Sequence, residues 1–337
     1  MSAVDTTEGY GLSYLEATDD LPHQPPAGIP GWVENYLIHA YFPDAEVGLW
    51  SHLGALPHDP GLWREVLVLA LPGDRFAVAK GYTRSRAGDG AAGPRLSYQC
   101  LRPFRRWRVR FDGVAQVVPA QRLREHPLTD GVQLPVALDF ELDALGPAFD
   151  FGEHLSSQSW ASTHYEQHFT AEGTLQVGPE QFALHGHGLR DHSTGTRHLR
   201  DMRNHCWIHG RFPSGRAFQI FHAVTMGGNV MSCCVIDEPD GTRRRMRLAN
   251  PAPLLDDEGP LGRVYQLRFE DGGEPVVIDG EPLTTATLSI LEPWDMTIGA
   301  YRHPGAIHRL FEGMTRFRCA GETGHGLTER TVRQLSG

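Results

Sequence analysis

The sequence has almost no lysine: Lys80 is the only one among 337 residues, and every other cationic side chain is arginine. Acidic residues outnumber basic ones, giving a formal net charge of -10. Such a chain has no net basic field with which to hold nucleic acid or an anionic membrane surface. The clusters Arg105–Arg106 and Arg243–Arg245 read as solvated strand ends and hairpin turns. No run of about 18 apolar residues is present, so a membrane-spanning helix is not expected. The polar, Pro-rich stretch Met1–Pro30 lacks the apolar centre of a secretory leader. The five cysteines, Cys100, Cys206, Cys233, Cys234 and Cys319, include no C-x-x-C pair. Their odd number and apolar setting predict free thiols in a reducing compartment, and hence a cytoplasmic protein. No long segment keeps a 3.6-residue apolar period, which argues against long helices. No G-x-S-x-G elbow, P-loop or dinucleotide fingerprint stands in its required strand–turn–helix context, so no nucleotide cofactor is expected.

What the sequence has in quantity is turn residues: 38 glycines and 24 prolines, punctuating short alternating segments. That composition predicts an all-β protein, and the length predicts two domains. In residues 32–42, Asn35, Leu37, His39 and Tyr41 share one face of a strand, and Tyr36, Ile38, Ala40 and Phe42 the other. Trp107, Val109 and Phe111 alternate with Arg106, Arg108 and Arg110. Tight turns at Pro213–Arg216, Asp240–Gly241 and Asp271–Gly273 join later strands. The expected organisation is an N-terminal arm over 1–30, a first β domain over 31–160 and a second over 161–337. The irregular stretch 145–162 is the candidate linker. Two antiparallel barrels or sandwiches fit the spacing of the hairpins.

The stretch from Leu184 to Arg197 carries the densest chemistry. His185, His187, Arg190, Asp191, His192 and Arg197 fall within 13 residues, among glycines that let backbones approach closely. An aspartate beside a histidine can fix its tautomer, and a nearby arginine can hold the aspartate ionised. Such a set can exchange protons near neutral pH without a cofactor. It can equally be a buried salt-bridge network. His205, Trp207 and His209 alternate and share a strand face, which fits either a pocket wall or a packed aromatic surface. His185 and His187 lie on one side of a strand and form the weaker, metal-binding alternative.

Three segments carry a family resemblance: His164-Tyr165-Glu166-Gln167, Gly173-Thr174-Leu175 and Gly186-His187-Gly188-Leu189-Arg190-Asp191-His192-Ser193. Together they resemble the carotenoid-hydratase and AttH-like superfamily of two-domain lipocalin-like proteins. Gly324-His325-Gly326-Leu327-Thr328-Glu329 resembles its closing strand. The resemblance implies two calycin-like β domains and a cofactor-independent lyase or isomerase, of hydratase, dehydratase or cyclase type, acting on a hydrophobic terpenoid- or polyketide-like molecule. It implies catalytic roles for Asp191, His192, Arg190 and Arg197, with Asp191 and His192 as the acid–base pair. His187, Trp207, His209, His205, Trp160 and Glu166 are the expected substrate contacts, and no metal is expected. Thr194 stands where the family has tryptophan, and His198-Leu199 where it has an Asp-Trp pair. A tryptophan face stabilises cations, so its loss gives weight to the other reading, a non-catalytic lipocalin-like carrier of a hydrophobic ligand.

Overall fold

Eleven consecutive buried residues make up strand β1 (Trp32–Phe42), so both of its faces are covered. The computed structural model describes residues 15–84, 91–152, 161–196, 199–250, 264–291, 295–301 and 306–334. The chain divides into two units, Met1–Val118 with Asp130–Arg197, and Pro119–Thr129 with His198–Gly337.

The first unit holds β1, β2 (Val47–Leu56), β3 (Asp59–Leu71), β4 (Arg75–Arg84), β5 (Ala91–Ala92), β6 (Leu96–Arg102), β7 (Arg106–Pro119), β8 (Val132–Ala144), β9 (Phe149–Asp150), β10 (Thr163–Val177) and β11 (Glu180–Thr196). Strands β4-β3-β2-β1-β11-β10-β8-β7 run in that order, and β4 also pairs with β7, closing a ring of eight. Closure removes the unpaired edges an open sheet would leave. The core inside this ring includes Ile38, Leu49, Leu67, Val109, Phe140 and Phe169.

The second unit begins with α1 (Ala120–Glu125) and continues with β12 (Met202–Arg211), β13 (Ala217–Thr225), β14 (Val230–Asp237), β15 (Arg243–Leu248), β16 (Tyr265–Glu270), β17 (Val276–Leu291), β18 (Asp295–Ile298), β19 (Ala306–Cys319) and β20 (Glu322–Arg333). Here β16-β15-β14-β13-β12-β20-β19-β17 form a second ring of eight, closed by β16 on β17. Phe218, Phe269 and Phe317 meet edge to face in its core. The protein is thus all-β, as the alternation and turn content predict, with two antiparallel barrels of the lipocalin-like kind that the family resemblance implies.

The domain boundary is a correction. Residues 161–196, expected in the second domain, form β10 and β11 of the first ring, where β11 pairs with β1 through ten positions, Trp32↔Thr196 to Tyr41↔His187. The expected linker is part of the same unit: β9 pairs with β10, and Phe149 and Phe151 are buried. The stretch around Arg190 is continuous strand. Its glycines serve strand packing, since a Cβ on Gly188 would lie 1.9 Å from the His39 carbonyl of β1. All five cysteines are free. Among the described residues, no helix is long and apolar enough to cross a membrane.

Candidate functional site

Side chains alternate along a strand, so Arg190 and His192 share one face of β11, and Asp191 and Ser193 the other. The Arg190–His192 face looks into the first barrel, and both residues are buried there. Arg190 Nη1 donates to Asp20 Oδ1 at 2.7 Å, while Nε and Nη2 donate to Gln167 Oε1 at 3.1 and 2.6 Å. Its guanidinium lies over the rings of Trp107, Tyr165 and Phe104, 5.3, 5.4 and 5.9 Å from their centroids. Burial opposes this charge, but the Asp20 carboxylate holds the group above its ordinary value. Asp20 also accepts from Trp107 Nε1 at 2.9 Å, from Phe104 N at 2.5 Å and from the Tyr165 hydroxyl. The contact to Phe104 fixes a residue at φ 54, a left-handed backbone that bulky side chains rarely adopt.

His192 completes the interior set. Its Nδ1 lies 2.9 Å from the Asp19 carbonyl oxygen and its Nε2 2.8 Å from Glu34 Oε1. The ring stacks on Tyr36 with centroids 3.9 Å apart. Glu34 also receives the His23 backbone N–H, and His23 Nδ1 lies 2.8 Å from the same Oε1. Burial pushes Glu34 up, but the bonds from His192 and His23 outweigh it and leave the carboxyl below its ordinary value. The bond to Glu34 raises His23, against burial. Burial lowers His192, against the pull of Glu34. A carbonyl only accepts, so Nδ1 carries a hydrogen. A proton therefore lies in the Nε2–Oε1 bridge on one side or the other. His23 Nδ1, Glu34 Oε1 and His192 Nε2 lie within 4.8 Å of one another and are able to hold a metal ion. Both nitrogens already bond one oxygen, however, so the set reads first as a proton-linked clasp. It fastens the segment before β1 into the barrel.

The opposite face of β11 carries a different chemistry. Asp191 stands directly opposite Glu166 of β10, with Leu37 of β1 on its other side. Directly opposed side chains have Cβ atoms about 4.5–5.5 Å apart. Glu166 is buried and His164 Nε2 lies 3.1 Å from its Oε1. His39 and His168 flank Leu189 on this face, and His187 lies one position further along it. Burial, then the charge of His187, push His39 down to about 3, so its imidazole is neutral. Two carboxyl groups among imidazoles can give and take protons.

In the second unit, His205 Nε2 lies 2.8 Å from Glu329 Oε1, and His205 stacks on Phe221 with centroids 5.4 Å apart. Trp207 and His209 are buried neighbours on the same face of β12, 5.3 Å between centroids.

The predicted residues therefore fall into three groups. Arg190 and His192 meet inside the first barrel. Asp191, Glu166 and His187 share the opposite face of its sheet. His205, Trp207 and His209 line a face in the second unit. The expected Asp191–His192 pair is corrected: adjacency in a strand sends the two side chains to opposite faces, and the carboxylate on His192 is Glu34. Arg197 and Trp160 lie outside the described residues. His185 is exposed with Glu172 3.8 Å away, and it does not join His187 in a group of three possible metal ligands among the described residues. Sequence reasoning missed Asp20, His23, Glu34 and Glu329. Only Glu34 left a signal, since alternation from Tyr36 puts this charged residue on the apolar face of β1.

Among solved structures the chain is similar to a protein described as an AttH from Nitrosomonas europaea, at 13% identity and TM-score 0.55, over 98% of this chain and 99% of that one. It is similar to CghA at 14% identity and TM-score 0.51, over 91% and 89%. It is also similar to kievitone hydratase from Nectria haematococca at 12% identity and TM-score 0.50, over 95% and 93%. At these identities the likeness is one of fold, and that fold is the one implied by the AttH-like resemblance. No curated protein matches the chain in sequence. Residues 16–334 match the family described as Domain of unknown function (DUF7064).

Proposed function

The chain belongs to the DUF7064 family, and from that premise we propose that it is a cofactor-independent lyase or isomerase of hydratase, dehydratase or cyclase type. The substrate class is a largely apolar terpenoid- or polyketide-like molecule with one polar end. The observation that carries the reading is the pairing of Asp191 with Glu166 across β10 and β11, on the face away from the barrel core, with His164 on Glu166. In hydration, the protonated Glu166 carboxyl gives its hydrogen to one alkene carbon. Asp191, the less buried of the two, takes a proton from water as that oxygen bonds the other carbon. The molecule gains H and OH, the two carboxyl groups exchange protonation states, and a proton shift between them restores the start. Acid–base assistance of this kind is worth about 10²–10⁴-fold. Arg190 and His192 act at one remove, holding β11 and the N-terminal segment in register. Kievitone hydratase, a structural neighbour, supports the hydratase class by its name.

The test uses a panel of terpenoid and polyketide alkenes and tertiary alcohols in ¹⁸O-water, with label uptake read by mass spectrometry. Asp191→Asn and Glu166→Gln are expected to lose label uptake while keeping the wild-type unfolding midpoint. Undiminished uptake in either variant overturns the assignment. The carrier reading is favoured by one observation: Arg190 and His192 are fully engaged by interior partners. It predicts ligand binding without label uptake in the wild type.

A further inference from the structure

The second barrel carries an acid–base set of its own. Strand pairing puts Thr331 opposite His205, Glu329 opposite Trp207, and Glu312 of β19 opposite Glu329, all on one face. Glu329 accepts from His205 Nε2, so in the neutral ring Nδ1 bears the lone pair. That atom is buried with no hydrogen-bond partner, and so is Thr331 Oγ1. Glu312 is fully buried. Burial first, then the charge of Glu329, raise Glu312 well above the carboxylate range, leaving a neutral acid beside Glu329. A carboxyl group bonded to an imidazole, with a neutral acid beside it and an open acceptor on the imidazole, has the wiring of a base.

The same face offers a second polar group. Gln219 of β13 pairs with His209, is 2% exposed, and has no partner on either side-chain amide atom. From His205 to His209 is four residues of strand, about 13 Å. Trp207 and its cross-strand partner Phe221 stand between. The Glu329 carboxylate repels an anion, and the His205 nitrogen requires a donor.

We propose that this face of the second barrel binds an uncharged, elongated molecule. A phenolic or enolic hydroxyl sits at His205 Nδ1, the apolar body covers Trp207 and Phe221, and a carboxamide or similar donor–acceptor group meets Gln219. His205 takes the hydroxyl proton, the O–H bonding pair stays on the oxygen, and the imidazolium is held by Glu329 while Glu312 keeps its proton. The site does not depend on Asp191 or Glu166.

The full chain is titrated calorimetrically with 2-naphthol and with 2-methoxynaphthalene, which cannot donate. Wild type is expected to bind 2-naphthol at least tenfold more tightly, and His205→Gln to erase the difference. Gln219→Leu is expected to weaken 4-hydroxy-4′-carbamoylstilbene several-fold more than it weakens 2-naphthol. Equal wild-type affinity for the two naphthalenes, or no binding of either, overturns the proposal without recourse to any variant. Loss of 2-naphthol binding in Asp191→Asn overturns it too, because the probe would then occupy the face of β11. An equal effect of Gln219→Leu on both hydroxyl probes removes the second contact and with it the elongated ligand.

Discussion

Replacing Asp20 with alanine is expected to destabilise the first barrel by about 3–5 kcal/mol, the cost of leaving a buried charge without its partner. The magnitude follows from what the carboxylate touches. It accepts from Arg190 at 2.7 Å, from Trp107 at 2.9 Å, from the Phe104 backbone at 2.5 Å and from Tyr165. Alanine leaves Arg190 charged in an aromatic box, held only by Gln167 and the Tyr165 oxygen. It also removes the contact that fixes Phe104 in its left-handed backbone. For a unit of this size the loss moves the thermal midpoint by roughly 6–20 °C. Equilibrium denaturation in urea reads the free energy, and limited proteolysis after residue 23 reads the release of the N-terminal segment. Removing both charges, as in Asp20→Ala with Arg190→Met, should recover much of the loss, because a buried pair exchanged for apolar groups is often near neutral. A change below about 1 kcal/mol in Asp20→Ala, with the segment still protected, would refute the claim that this pair anchors the N-terminal segment.

Acid should weaken the fold from about pH 6.5 downward. His39, held near 3 in the folded state against an ordinary 6.5, is neutral when folded, so its contribution is complete above about pH 6.5 and is lost as pH falls towards 3. By pH 5 this amounts to about 2 kcal/mol relative to pH 7, and urea titrations of His39→Gln should show that part of the slope flattened. Glu34, held low, adds a further loss as pH falls below its ordinary value, whereas His23, held high, loses its contribution as pH rises. Gly188→Ala should fail to accumulate as folded protein, because the new methyl carbon meets a β1 carbonyl 1.9 Å away; a wild-type midpoint would contradict the register. Burial raises the thiols of Cys206 and Cys234, the latter to about 11, so a maleimide should leave both unmodified at pH 8 until denaturant is added.

Much of this architecture is legible in the pattern of residues. Alternation in β1 and β7 gives the all-β class, and turn chemistry gives the hairpins of the second barrel. The division of the chain is not legible. The Gly- and Pro-punctuated stretch near residue 150 looks like a boundary, yet ring closure draws β10 and β11 back against β1. The central motif shows both the strength and the limit of linear reading. Its residues do mark a dense polar region, but Asp191 and His192 are neighbours only along the chain. The period of two in a strand parts them, giving one to Glu166 and the other to Glu34. Asp20 leaves no trace at all, because its partner lies 170 positions downstream and no local pattern encodes a contact of that span.

That span has a consequence for biosynthesis. Asp20 and His23 leave the ribosome before any strand of the first barrel, and Arg190 and His192 arrive among its last. Until then the leading segment must wait without a mate, its carboxylates bathed in solvent, and it docks only when the ring is nearly whole. A segment made before the ring is thus fastened after it, and any bulky tag fused close before Glu16 would burden that final step rather than the earlier assembly of the strands.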